Sequence, residues 1–164
     1  MNNVVLLLGT NVGDRLINLE KAWKEIQNTL GKVIRYSSVY ETAPWGNSQQ
    51  QNFLNQVILI ESTSSAEVIM KKIIDIEENM GRIRKKKWEP RIIDIDILFF
   101  NKEIISHHDL EIPHPRIRER KFTMVPLAEL IPEFIHPVFK KSIIELLKEL
   151  NDPLDVKKIS NHLA

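Results

Sequence analysis

The chain contains no cysteine, which excludes disulfide bonds, thiolate-held metals and a cysteine nucleophile. It carries almost no net charge: 23 Lys and Arg against 22 Asp and Glu leave +1 at pH 7. A chain so balanced has no global attraction to nucleic acid or to a membrane surface, so its basic residues matter only locally. No stretch approaches the roughly 20 apolar residues of a membrane span. The opening MNNVVLLLG lacks the basic lead and the apolar length of a secretion signal. No internal repeat, low-complexity tract or linker is found, and neither a Gly-x-x-x-x-Gly-Lys phosphate loop nor an RNP-like aromatic signature occurs. What remains is the composition of an ordinary globular protein, 43% hydrophobic and 27% charged over 164 residues. The expectation is one domain, 1–164, soluble and cytoplasmic, with neither membrane nor nucleic acid as partner.

Periodicity supplies the elements. The apolar run 4–8 ending at Gly9 reads as a buried strand. Asp14 is a candidate N-cap for an amphipathic helix over 15–30, in which Leu16, Leu19, Trp23, Ile26 and Leu30 recur at helical steps and which Gly31 stops. Alternation over 32–42 predicts a strand, 44–51 a polar loop, and 53–61 a strand antiparallel to its predecessor. Ser64 or Ser65 caps a helix through Met80, a basic loop follows, and 94–100 reads as a strand. Short helices near 124–130 and 142–150 precede a polar tail. The order is β-α-β-β-α-β, that of an α+β ferredoxin-like fold. It predicts an antiparallel sheet with two helices on one face. The other face is covered by loops and the extra C-terminal helices, or left open for ligand.

The run RIIDIDILFF over 91–100 is the most informative stretch. On a strand, Asp94 and Asp96 share one face and Ile93, Ile95 and Ile97 the other. Adjacent carboxylates repel unless a cation lies between them, and Mg²⁺ sitting on one or two carboxylates plus substrate phosphates is one answer. A half-exposed polar face that happens to repeat Asp is the other. Just upstream, GRIRKKKWEPR over 81–91 concentrates cations. Alone, such a run is a solvated or nucleic-acid-binding loop; beside the two carboxylates it suits a polyphosphate.

Taken together, LGTNVGD over 8–14, YETAPWG over 40–46, FLN over 53–55, Ile76-Glu77, GRIR over 81–84, WEPR over 88–91, DIDIL over 94–98, IPHP over 112–115 and Arg120-Lys121-Phe122 resemble the 6-hydroxymethyl-7,8-dihydropterin pyrophosphokinase family. The blocks keep the family's order over about 6–137. The resemblance implies transfer of a diphosphate unit from ATP to the pterin hydroxymethyl group, releasing AMP, in folate biosynthesis. It implies that Asp94 and Asp96 hold two Mg²⁺ ions, with Asp94 also touching the pterin and assisting as base, and that Arg82 and Arg91 clamp phosphates. Glu77, Arg84, Trp88, His114 and Arg120 are placed with them around ATP. Thr42, Ala43, Pro44, Trp45, Gly46, Phe53, Asn55 and Phe122 are implied on the pterin, the two Phe as stacking partners and Asn55 as reader of its polar edge. Two departures stand out: Pro115 follows His114 where the family commonly has Tyr, and Phe53 stands where Tyr is frequent. The loops 44–51 and 81–88 are expected to close over both substrates, and the protein is expected to be a monomer.

Two other classes compete. A nucleic-acid-binding module would use the basic loop and Phe53, but Asp94 and Asp96 would repel its phosphates. A nucleotidyltransferase would release pyrophosphate and nucleotidylate the acceptor, instead of releasing AMP.

Overall fold

In the first strand, every residue from Val4 to Leu8 is buried, so an alternating pattern never shows in the sequence. The reason is that both faces of the sheet are covered. The structure, a computed structural model, describes residues 1–44, 50–81, 92–107 and 109–160. Within them run β1 (Asn2–Thr10), α1 (Arg15–Thr29), β2 (Lys32–Tyr36), β3 (Val39–Thr42), β4 (Phe53–Ser62), α2 (Ala66–Asn79) and β5 (Asp94–Phe100). They are followed by β6 (Ile105–His107), β7 (Leu110–Ile112), a 3-10 turn (Ile117–Glu119), α3 (Lys121–Leu130), α4 (Ile143–Glu149) and β8 (Val156–Ser160).

The main sheet is antiparallel throughout, in the order β5-β1-β4-β3-β8, with β2 also paired to β4. Val4, Leu6 and Leu8 of β1 join Ile58 and Ile60 of β4 and Ile95 and Ile97 of β5 against α1 and α2. Val5, Leu7 and Val57 face the other way and pack with Met124, Leu127, Ile143 and Leu146 of α3 and α4. The register between β1 and β5 slips at Val5/Leu6, which puts consecutive Leu98 and Phe99 into the second core. The expected α+β architecture is therefore present, and the C-terminal helices cover part of the second face.

Local chemistry explains the element ends. Asp14 caps α1 by accepting from Ile17 N (3.2 Å), and Ser65 caps α2 by accepting from Val68 N (3.3 Å). Gly31 ends α1 because of crowding: a Cβ there would lie 2.0 Å from the Glu61 carbonyl oxygen.

Three details differ from the sequence reading. The strand expected over 32–42 is two strands, broken at Ser37 and Ser38. Ser37 Oγ accepts from Val57 N (3.0 Å) and donates to Ser38 O (2.8 Å), so side chains replace ladder bonds there. The polar tail ends in β8, which pairs with β3; its lysines hid a strand signal but suit a sheet edge. The helix expected from 124 begins at Lys121, one residue after Arg120.

Candidate active site

At one end of the second face the packing stops and polar groups take over. Gly9 of β1 pairs with Asn55 of β4 on one side and with Asp94 of β5 on the other. Leu7 pairs with Asp96, Tyr40 with Asn55, and Thr42 with Phe53. Cross-strand partners share a face, so Asp94, Asp96, Asn55, Phe53, Tyr40 and Thr42 all rise from the same side of the sheet, with Gly9 as bare floor among them.

That bareness has a geometric cause. A Cβ on Gly9 would sit 2.8 Å from Asn55 Nδ2. With no Cβ present, Asn55 lies flat, 4% exposed, and Nδ2 donates to Leu8 O (3.3 Å). Its Oδ1 is buried and has no hydrogen-bond partner among the described residues. Leaving such an acceptor unmatched costs about 1–3 kcal/mol, a cost a ligand donor would remove.

Asp94 and Asp96 are half-exposed. The peptide between them is held from the side by Glu77 of α2, only 3% exposed, whose Oε2 accepts from Ile95 N (2.9 Å). Glu77 thus meets β5 at the backbone. The donor set is two carboxylates on one face, and no group of three or more His, Cys, Asp or Glu forms a metal cage among the described residues. Two hard oxygen donors with room for water and phosphate fit Mg²⁺, which keeps several waters and dehydrates reluctantly.

Beyond the carboxylates lies a cationic rim. Arg120, immediately before α3, is half-buried. Burial and the neighbouring Arg116 charge hold its guanidinium below the ordinary value, while Asp96, Glu119 and Asp94 pull the other way. The carboxylates of β5 therefore lie within its field. Its Cζ stands 5.6 Å from the Phe122 ring centre. His114 is pushed down to about 4, chiefly by burial and then by Arg120 and Arg116, with Glu111 opposing. Its Nδ1 accepts from Arg116 N (3.2 Å). The ring is then neutral at neutral pH with its proton on Nε2, a single fixed donor. His114 N donates to Leu98 O (3.1 Å), which anchors the residue to β5.

Of the site residues expected from the sequence, Asp94, Asp96, Phe53, Asn55 and Thr42 come together on the one sheet face. Thr42 is 3% exposed, with Ala43 and Pro44 directly after it, and Phe122 lies in the first turn of α3. Arg82, Arg84, Trp88, Arg91, Trp45 and Gly46 lie outside the described residues, as do Lys85, Lys86 and Lys87 and most of the two loops expected to close. Sequence reasoning missed the residues that brace the site. Arg15 Nη1 pairs with Glu41 Oε2 (2.6 Å) and donates to Asn52 O (2.8 Å), and Asn11 Nδ2 donates to Gln50 Oε1 (2.9 Å). These contacts tie both ends of the 43–52 segment to the first turn of the molecule. Asn11 lay inside a quoted block, while nothing local marks Arg15 beyond its place at a helix start.

Comparison with known proteins gives the same picture. Residues 5–132 match the family described as 7,8-dihydro-6-hydroxymethylpterin-pyrophosphokinase; α4 and β8 lie beyond that span. The Aquifex aeolicus 2-amino-4-hydroxy-6-hydroxymethyldihydropteridine pyrophosphokinase is 39% identical over 91% of this chain and 92% of its own length. The Methylorubrum extorquens protein of that description is 34% identical over 97% and 99%, and the Bacillus subtilis one 40% identical over 79% and 79%. Among solved structures, Plasmodium falciparum HPPK-DHPS with pteroate superposes with a TM-score of 0.76 at 21% identity. It covers 90% of this chain and 44% of that longer one, a likeness of fold alone. The carboxylate pair, the Gly9 floor and a family match over most of the sequence agree: the chain belongs to the 7,8-dihydro-6-hydroxymethylpterin-pyrophosphokinase family.

Proposed function

We propose the roles by which this pyrophosphokinase moves a diphosphate unit from ATP to 6-hydroxymethyl-7,8-dihydropterin. The observation that carries the assignment is the conjunction at Gly9: two carboxylates on one side, a buried, unmatched amide oxygen on the other, on one sheet face. An amide-edged heterocycle that donates to Asn55 Oδ1 satisfies the buried acceptor, and its hydroxymethyl arm then points across Gly9 toward Asp94. Phe53 and Phe122 supply the stacking faces, Thr42, Ala43 and Pro44 line the pocket from the β3 side, and Trp45 and Gly46 are assigned to the same substrate.

In the reaction, the hydroxymethyl oxygen attacks the β-phosphorus of ATP. Its O–H bond and the bond between the β-phosphorus and the α,β-bridging oxygen break, a new oxygen–phosphorus bond forms, and AMP leaves. Asp94 takes the hydroxyl proton in this reading. Asp94 and Asp96 would hold Mg²⁺, two ions in this reading, which would supply charge neutralisation on the polyphosphate. Arg82 and Arg91 clamp the transferring group, where charge spreads in the transition state. Arg84, Trp88, Arg120 and the Nε2–H of neutral His114 hold the nucleotide, while Glu77 serves that side by fixing the backbone between the carboxylates. The chain 1–164 acts as one catalytic domain, a cytoplasmic monomer. Among the described residues no helix is long and apolar enough to cross a membrane.

The test is a product assay with ATP, Mg²⁺ and 6-hydroxymethyl-7,8-dihydropterin, read by mass spectrometry. AMP in step with pterin diphosphate, and only with metal, is the expected result. Free pyrophosphate with a nucleotidylated pterin would overturn the assignment.

A further inference from the structure

The helix α3 reaches both sides of the site. Arg120 and Phe122 stand at its N-terminal end, and its C-terminal end is fastened to the break between β2 and β3. Glu129 Oε1 and Oε2 accept from Ser38 N (3.1 and 3.2 Å), Glu129 Oε2 from Ser38 Oγ (2.8 Å), and Oε1 from the Tyr40 hydroxyl (2.6 Å). Arg35 Nη2 donates to Leu130 O (2.7 Å) one residue on. Ser38 and Tyr40 are buried, whereas Glu129 is itself an exposed residue that turns its carboxylate inward. Burial, then the hydrogen bond and charge of Glu129, hold the Tyr40 phenol well above its ordinary value, so it stays a donor at any working pH. For Glu129, burial pushes the carboxyl up, but the bonds from Tyr40 and Ser38 and the charge of Lys158 on β8 more than reverse this.

Tyr40 is the direct cross-strand partner of Asn55. The distance between the amide that reads the heterocycle's edge and the Phe122 ring that covers its face is therefore set through Tyr40, Glu129 and the length of α3. Seven helical steps separate Phe122 from Glu129, about 10 Å. We propose that Glu129 and Tyr40 are positioning residues which fix the width of the pterin slot by clamping α3 to β3. The inference rests on the pterin reading of this face. The two side chains bond to each other, and β3 lies three strands across the sheet from β5 and its carboxylates, so the clamp acts on one substrate and spares the other.

Steady-state kinetics of Tyr40→Phe, Glu129→Ala and Glu129→Gln, with thermal unfolding run alongside, tests this. Tyr40→Phe and Glu129→Ala are expected to raise KM for the pterin about tenfold, equivalent to about 1.4 kcal/mol. KM for ATP should stay within about twofold and kcat within about threefold. Glu129→Gln keeps an acceptor for Tyr40 and should recover most of the affinity. A folded Tyr40→Phe protein with unchanged pterin KM overturns the proposal, as does an equal rise in both KM values. If Glu129→Ala does not fold, Tyr40→Phe alone decides, since it removes one oxygen atom and keeps the ring. Wild-type protein that makes no pterin diphosphate would overturn the parent reading and this inference with it; an active wild type with an unmoved variant overturns only the clamp.

Discussion

The two faces of one sheet are built to different rules. Against α1 and α2 the strands present Val4, Leu6, Leu8, Ile58, Ile60, Ile95 and Ile97, all buried and all apolar. On the reverse, the end toward α4 is equally apolar, but the end around Gly9 carries two carboxylates and an amide with an unmatched oxygen. The same three strands serve both. Stability is concentrated in the apolar packing, and ligand recognition where polar groups gather around one buried, unmatched amide oxygen. Because side chains alternate along each strand, Asp94 and Asp96 are held rigid by the isoleucines on either side of them.

That contrast can be broken most forcefully on the apolar side. Ile58→Ala empties a fully buried position and should lower the unfolding free energy by about 2–5 kcal/mol. kcat and both KM values per folded molecule should not change; denaturant titration with active-site counting checks both, and impaired catalysis in the folded fraction would merge the two faces. Asn55→Leu is the converse. It removes the unmatched acceptor, so stability should hold or rise, while pterin affinity falls by about 1–3 kcal/mol, measured by calorimetry. Gly9→Ala sharpens the boundary, because its methyl must displace the Asn55 amide from Leu8 O. Pterin affinity should fall about tenfold and stability by about 1 kcal/mol, with ATP affinity unchanged.

A pH dependence belongs to the apolar half of the second face. His136, 2% exposed and packed edge-to-face against Phe99 and tilted against Phe139, is pushed down to about 4 by burial and then by Arg118. A folded value below the unfolded 6.5 means the chain takes up a proton on unfolding. The stability this site contributes is complete above about pH 6.5 and is lost progressively as pH falls toward 4. His136→Asn keeps an acceptor for the Val138 and Phe139 amides and should flatten that part of the stability profile between pH 6.5 and 4.5. An unchanged slope would show that the acid sensitivity resides elsewhere.

Much of this was legible in the sequence wherever one local rule dominated. Asp14 as a cap, and Ser64 or Ser65 as the other, followed from residue type and position, with the structure selecting Ser65, and the shared face of Asp94 and Asp96 followed from strand alternation. Gly31 was rightly placed as a stop, yet the cause is the Glu61 backbone, a long-range contact that no local pattern encodes. The break at Ser37 and Ser38 was invisible for the same reason. Serine reads as an acceptable strand residue until Glu129, some 91 positions away, and Val57 take up its hydrogen bonds. β8 was missed because two lysines look like a solvated tail and only an available edge on β3 makes them a strand. In the site, the groups that would touch substrate were readable as motif blocks. Of the groups that hold them, Arg15 and Glu129 were not, and Tyr40 stood in a block that did not show its bracing role, since their partners are set by tertiary structure.

The most direct test of this separation is to measure AMP release and thermal unfolding on one preparation of the Asp94→Ala/Asp96→Ala double variant, with Mg²⁺ titrated. The account predicts that AMP formation falls by about 10³-fold or more while the midpoint of unfolding changes little, because the strand is held by its buried isoleucines and by Glu77 at the Ile95 amide. AMP formed at near wild-type rates, or a loss of activity that tracks a loss of folded protein, would contradict it.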